Sequence, residues 1–348
     1  MELSVCIEKK LRDFTLQIDF TLRDEVFALL GASGCGKSMT LKCIAGIEKP
    51  DRGRILLDGE ILFDSKKGID LPPQRRQVGY LFQNYALFPN MTLAENLCFV
   101  MEGSKKDKEQ RACSLLRRFH LEGLENAYPS TLSGGQQQRA ALARILASNA
   151  RLLLLDEPFS ALDSYLKWQL EMELMEILPS YGGAALLVSH DRGEVYRLAG
   201  KVAVINRGAM EPPADKKELF RHPGTLAATL LTGCKNISAA RRQDGEHIYA
   251  ADWNLTLRTA EPPPAGTKYA GIRAHFLQAR ESAAGENVFP MEAVQTIEDT
   301  FSYIVMVRPL GSEAAPLRWE LAKEEWQRLE GRELYLYFPP EQVMVMES

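Results

Sequence analysis

The stretch GASGCGKS, Gly31 to Ser38, limits what this chain can fold into more than any other part of it. It follows VFALL (Val26 to Leu30), which reads as a buried strand. It runs into KSMTLKCIAG, which reads as a helix that stops at Gly46 with Pro50 close behind. A G-x-x-x-x-G-K-[ST] pattern between a strand and a helix is a phosphate-cradling loop. Its glycines let the backbone curl until N–H groups converge on phosphate oxygens, and the helix start adds partial positive charge at the same point. Lys37 reaches the outer phosphates and the Ser38 hydroxyl ligates Mg²⁺. A plain glycine-rich turn explains the glycines but not a Lys-Ser pair at the first helical positions. The expected nucleotide contacts are Gly31, Ala32, Ser33, Gly34, Cys35, Gly36, Lys37, Ser38 and Met39.

At 348 residues the chain is long enough for two domains, each with its own core. No run approaches the roughly 20 apolar residues of a membrane span, and MELSVCIEKK lacks an apolar signal core. The chain is therefore expected in the cytosol unless a partner carries it to a membrane. Six scattered cysteines without C-x-x-C spacing indicate neither zinc nor a disulfide framework. Cys35 lies inside the phosphate loop, so a bulky thiol reagent is expected to block nucleotide binding. Residues 236–348 carry 11 basic against 17 acidic residues, and neither half forms the basic platform that nucleic acid needs.

Short apolar stretches in residues 3–30 predict an antiparallel β-edge ahead of the phosphate-loop strand. RILLDGEILF is a hairpin signal around Asp58-Gly59, and QVGYLFQ reads as another buried strand. Helical texture then runs from Asn84 through LSGGQQQRAALARILASN. The strand RLLLLDEP, a helix over Tyr165 to Leu178, and the strands AALLVSH and KVAVINRG follow. This alternation implies a largely parallel sheet with helices on both faces. After a proline-punctuated segment the pattern becomes all-β, in short runs such as HIYAADWNLTLRT, YIVMVRP and ELYLYF, which fits a small antiparallel barrel or sandwich. The expected division is a nucleotide-binding domain over 1–214 with a helical subdomain at about 84–148, a linker helix at 215–233, and an all-β domain over 234–348.

RLLLLDEPFSALD, Arg151 to Asp163, supplies the second chemical element. Its leucines form a buried strand that presents Asp156 and Glu157 at its carboxyl end, the edge where open α/β sheets bind ligands. Asp156 holds Mg²⁺ in this reading and Glu157 polarises the attacking water. LSGGQ, Leu132 to Gln136, is the third element. Ser133 and Gln136 have the spacing of a capping box. Gly134 and Gly135, poor residues for a helix start, leave its N–H groups open to an anion.

In this order, GASGCGKS, Gln83, LSGGQ, LLLLDEP, SALD (Ser160 to Asp163) and His190 resemble the motif set of the ATP-binding cassette ATPases of transporters, over about residues 25–195. The resemblance implies an α/β phosphate-loop cassette that binds ATP and Mg²⁺ and works as a homodimer, with two ATP molecules sandwiched between two chains. Ser133, Gly134, Gly135 and Gln136 would contact the γ-phosphate held by the partner. Gln83 would sense Mg²⁺ and water, Asp163 would bridge the subunits, and His190 would contact the γ-phosphate. QNYALFPNMTLAENL, Gln83 to Leu97, resembles the segment with which prokaryotic importer ATPases of the sugar, sulfate, molybdate, iron and polyamine groups dock a transmembrane permease subunit. Tyr85, Leu87, Phe88, Pro89 and Met91 would form its apolar groove. TGCKNISAA, GIRAHF and VQTIEDTFSYIVMV look like the rear β-domain of those importers, related to small oxyanion-binding barrels.

The resemblance thus implies the ATP-hydrolysing subunit of an importer, peripheral on the cytoplasmic membrane face, with a solute-binding protein as an indirect partner. The rear-domain pattern favours molybdate or sulfate as solute, with iron, polyamine and sugar as alternatives. A rear barrel binding oxyanion would do so with backbone N–H groups and inhibit uptake; otherwise it serves packing and dimerisation. Two rivals belong to other classes. A soluble cassette ATPase of DNA repair or ribosomes would carry a coiled-coil insert or a second cassette. A purely regulatory sensor would not need Glu157 and LSGGQ. One departure concerns adenine: the position where such proteins place a stacking aromatic falls on Leu11, and Phe14, the nearest substitute, is expected not to stack.

Overall fold

The computed structural model describes the whole chain apart from residues 83, 84, 149, 161 and 182 and the side chains of 179 and 180. It divides into two units, Met1–Lys217 and Glu218–Ser348.

In the first unit, β1 (Glu2–Lys10) and β2 (Thr15–Arg23) pair antiparallel. The period-two apolar pattern of TLQIDFTLR puts Leu16, Ile18, Phe20 and Leu22 inside. β3 (Val26–Leu30) leads through the phosphate loop into α1 (Lys37–Ala45). Gly46, at φ 78°, ends α1 in the left-handed conformation that glycine tolerates best. The Arg76 guanidinium donates to the last carbonyls, Cys43 O at 2.8 Å and Ile44 O at 2.9 Å. β4 (Arg52–Leu57) and β5 (Glu60–Asp64) meet at Asp58-Gly59, whose φ values of 49° and 82° are those of a two-residue primed turn.

The edge strand β6 (Ile69–Asp70) and the core strand β7 (Val78–Leu81) follow. The helical insert is α2 (Leu93–Val100), α3 (Lys105–Arg118) and α4 (Gly134–Ala147). The chain returns to the sheet with β8 (Leu152–Asp156), α5 (Ser164–Ser180), β9 (Ala184–Ser189), α6 (Arg192–Leu198) and β10 (Lys201–Asn206). Strands β10, β3, β9, β8 and β7 lie side by side and parallel. The short β11 (Ala209–Met210) joins them to the antiparallel run β2, β1, β4, β5, β6. Because β3, β8 and β9 are parallel neighbours, the phosphate loop, Asp156-Glu157 and His190 all leave the sheet at one edge. The expected cassette-type α/β core, with its antiparallel edge and helical insert, is therefore present.

The second unit is built on two five-stranded antiparallel sheets. One runs Leu255–Arg258, His247–Ala250, Asn236–Arg242, Tyr269–Ile272, Met344–Met346. The other runs Gln278–Arg280, Leu334–Tyr337, Val288–Glu298, Ser302–Pro309, Leu317–Ala322. Their shared core holds Trp253, Trp319, Trp326 and Phe338. A helix, Lys323–Leu329, interrupts the β-pattern and buries Trp326. Residues 218–233 belong to this unit and include the helix Leu226–Leu231, where the sequence suggested a linker.

Candidate nucleotide-binding site

Gly31 sits where no side chain fits: a Cβ there would stand 2.5 Å from the Ile205 carbonyl oxygen and 2.6 Å from Cys35 Sγ. Gly34 and Gly36 take φ 80° and 113°, which glycine alone adopts without cost. The loop leaves Ala32, Ser33 and Gly34 exposed and turns Cys35 and Lys37 inward. Lys37 Nζ donates to Gly31 O at 2.7 Å and Ala32 O at 2.9 Å. Two expectations change here. Met39 packs against the hydrophobic core rather than sharing the loop's polar face. Cys35 is only 7% exposed, so a thiol reagent reaches its sulfur only when the loop opens.

Ser38 Oγ donates to Asp156 Oδ1 at 2.8 Å, and Tyr80 OH donates to Asp156 Oδ2 at the same distance. Asp156 is 2% exposed, and burial pushes its carboxyl above the usual range, an effect the two hydroxyls offset only in part. Burial, with Asp156 beside it, also raises the Tyr80 phenol, which keeps it a donor. A hydroxyl and a carboxylate at hydrogen-bond distance, both of oxygen, are a donor set that suits Mg²⁺. The loop's backbone beside them suits a polyphosphate. The sequence missed Tyr80, because inside VGYLFQ it reads as one more core residue of a strand.

Glu157, directly after β8, holds φ 48°, a strained conformation for a residue with a long side chain. Its N–H bonds Val188 O at 3.0 Å, and its carboxylate lies 3.3 Å from His190 Nδ1. His190 is the residue after β9 and exposes 61% of its side chain. Asp191 caps α6 through Gly193 N and Glu194 N, and Lys167 of α5 pairs with Asp191 at 2.5 Å and Glu194 at 2.6 Å. Phosphate loop, Asp156, Glu157 and His190 thus converge.

Ser133 and Gln136 form the expected capping box at the start of α4, with Ser133 N to Gln136 Oε1 at 2.9 Å and Gln136 N to Ser133 Oγ at 3.3 Å. A Cβ on Gly134 would meet nothing within 4 Å, and one on Gly135 would meet Leu162 at 3.1 Å. Asp163 caps α5, accepting from Tyr165 N and Leu166 N at 3.0 Å each. Among the described residues, no hydrogen bond or ion pair joins Ser133–Gln136 or Asp163 to the phosphate loop of the same chain. Gln83 lies outside the described residues.

Leu11 packs against the core. The Phe14 ring lies where a Cβ on Gly208 would be 2.3 Å from its Cδ2, and 3.6 Å from the same position on Gly36. In the segment expected to dock a permease, Tyr85 and Ala86 hold φ 61° and 47°. The Asn96 amide, fully buried, donates to the carbonyls of Phe88, Met91 and Thr92 and accepts from Phe88 N. Arg144 Nη1 donates to Ala86 O at 2.7 Å, and its guanidinium lies 5.1 Å from the Phe88 ring centre. Phe99, 62% exposed, meets Phe88 edge-on at 4.9 Å. The second unit holds a cavity of about 730 Å³ whose lining mixes Glu218, Glu261 and Glu341 with Arg221, Arg273 and His222.

A family model described as "ABC transporter" matches residues 15–160. The chain is 40% identical over 230 residues to a putrescine transport ATP-binding protein, PotG, of Escherichia coli K12, covering 64% of this chain and 59% of that one. It is 38% identical over 243 residues to a spermidine/putrescine import ATP-binding protein, PotA, of Bacillus cereus, covering 69% and 71%. The chain therefore spans less than two thirds of the PotG protein it matches. A solved dimeric ATP-binding cassette, MJ0796, bound to ADP and phosphate, aligns with a TM-score of 0.53 at 28% identity, over 62% of this chain and 99% of that one. The chain belongs to the ABC transporter family of ATP-binding cassette proteins. Cassettes of this family bind ATP with Mg²⁺, for which the Ser38–Asp156 pair and the glycine loop are suited.

Proposed function

We propose that the chain is the ATP-hydrolysing subunit of an importer, working as a homodimer on the cytoplasmic membrane face and docked to transmembrane subunits through about residues 83–97. The observation that carries this reading is the convergence of Lys37, Ser38, Asp156, Glu157 and His190 at one sheet edge, while Ser133–Gln136 is capped and open on another element. A motif set split in this way is complete only when a second chain faces the first.

Bound Mg²⁺ supplies charge neutralisation at the phosphates. The chain's own residues do the positioning that phosphoryl transfer depends on. Lys37 and the loop N–H groups hold phosphate oxygens. Tyr80 keeps the Asp156 carboxylate oriented toward Ser38. The Glu157 carboxylate, 3.3 Å from His190 Nδ1, would orient the attacking water.

The molybdate or sulfate expected from the rear-domain pattern gives way to polyamine as the preferred solute. The relatives are named for putrescine and spermidine. Phosphate release from MgATP by the purified chain tests the activity. Uptake of labelled spermidine against labelled molybdate, in cells lacking this subunit and complemented with it, tests the solute; uptake of molybdate alone would reverse the assignment.

A further inference from the structure

The helix α4 touches three places that the proposed function sets moving. At its N-terminus it presents the capped Ser133–Gln136 turn. One turn on, the buried Gln138 amide donates to the carbonyl of Pro158, the residue after Glu157. Near its C-terminus, Arg144 donates to Ala86 O at 2.7 Å and Tyr85 O at 3.4 Å and covers the Phe88 ring. Arg144 is 8% exposed, and its bonds described here go to backbone carbonyls rather than to a carboxylate. A buried guanidinium devoted to two carbonyls of consecutive left-handed residues is a costly way to pack a loop, but an effective way to fix where that loop stands. The 11 residue steps from Ser133 to Arg144 make a rigid rod of about 16 Å.

We propose that Arg144 is a positioning residue that couples the γ-phosphate-facing end of α4 to the permease-docking segment, so that closure of two chains around ATP displaces Tyr85–Phe88 as one body. The proposal rests on the docking role given above to that segment. A change at the partner's nucleotide moves Ser133, the helix carries the movement along its axis, and the guanidinium hands it to the carbonyls it grips. Lysine keeps the charge but lacks the planar guanidinium fork and its reach, so it would not hold the two carbonyls and the Phe88 ring in the same fixed geometry.

The test uses the full chain with its transmembrane subunits in proteoliposomes, and compares Arg144→Lys, Arg144→Met and Phe88→Ala with the parent. Thermal unfolding is followed for each variant, so that loss of fold is scored separately. The expected result for both Arg144 variants is ATP affinity and basal phosphate release of the isolated chain within about twofold of the parent, with permease-stimulated hydrolysis and solute uptake per ATP reduced at least tenfold. Unchanged uptake per ATP in a folded Arg144→Lys protein would overturn the proposal. So would an equal loss of basal and stimulated hydrolysis, which marks a residue needed only for the fold. Phe88→Ala separates the two readings: if it leaves permease association intact, the docking assignment fails, whereas if it abolishes association while the Arg144 variants stay coupled, only the present inference fails.

Discussion

At the scale of single residues, the site is governed by what surrounds Asp156. A carboxylate 2% exposed would resist ionisation and bind a cation poorly if left alone; the hydroxyls of Ser38 and Tyr80 offset that by stabilising the charged form. Ser38 would serve as an Mg²⁺ ligand, which would leave Tyr80 as the hydroxyl that orients the carboxylate. Tyr80→Phe is therefore expected to weaken Mg²⁺ binding about tenfold, since a hydrogen bond to a charged group contributes about 1.5 kcal/mol or more. Calorimetric titration of Mg²⁺ into the ATP-loaded chain measures it, and an unchanged affinity would remove Tyr80 from the site. Glu157 makes the complementary case. Glu157→Gln keeps size and backbone but loses the negative charge proposed to orient water, so turnover should fall at least a hundredfold with ATP affinity preserved, read as phosphate release beside nucleotide binding.

At the scale of elements, the segment proposed to dock a permease and a turn of the second unit show how local bonding fixes backbone. Asn96 on α2 ties the Phe88–Thr92 backbone through four hydrogen bonds. Asn96→Leu has similar volume but strands those groups in the interior, at a cost of about 2 kcal/mol or more. The expected outcome is a first-unit unfolding midpoint several degrees lower, measured by calorimetry, together with weaker permease association. In the second unit, the Asp244–His247 turn is pH-sensitive. The hydrogen bond that the His247 ring donates to Asp244, with Glu286 nearby, raises His247 above its ordinary value. A raised histidine contributes stability that is complete below the unfolded value near 6.5 and is lost as pH rises through the higher folded value. His247→Gln should therefore destabilise the chain at pH 5.5 and make little difference at pH 9, as followed by urea unfolding.

The elements also show what a sequence reveals. The strand-loop-helix around Lys37, the Asp58-Gly59 hairpin and the capping box at Ser133 are written in local chemistry, where residue type and spacing over a few positions decide the conformation. Tyr80, Gln138 and Arg144 escape such reading because their roles depend on partners far along the chain. Tyr80 meets Asp156, Arg144 meets Ala86, and a lone polar residue on a helix or strand gives no sign of which distant group will satisfy it. The helix Lys323–Leu329 was hidden for a related reason, since KEEWQRL between two strands buries a single tryptophan and its turn is set by the β-core around it.

At the scale of the whole molecule, the split of the motif set predicts a concentration-dependent assembly. MgATP should convert the Glu157→Gln chain from monomer to dimer in light scattering. A chain that stays monomeric at saturating MgATP, even alongside the proposed transmembrane subunits, would contradict the proposed head-to-tail arrangement. Within each chain, Lys37 bears on how such experiments are read. Its ammonium binds two carbonyls of its own loop, so an allele that deletes the side chain does more than loosen the grip on phosphate: it leaves Gly31 and Ala32 without the donor that shapes the cradle. Defects of a Lys37 knockout therefore mix lost architecture with lost affinity, and the Glu157→Gln allele is the cleaner silent subunit for asking what one working cassette in a pair can accomplish.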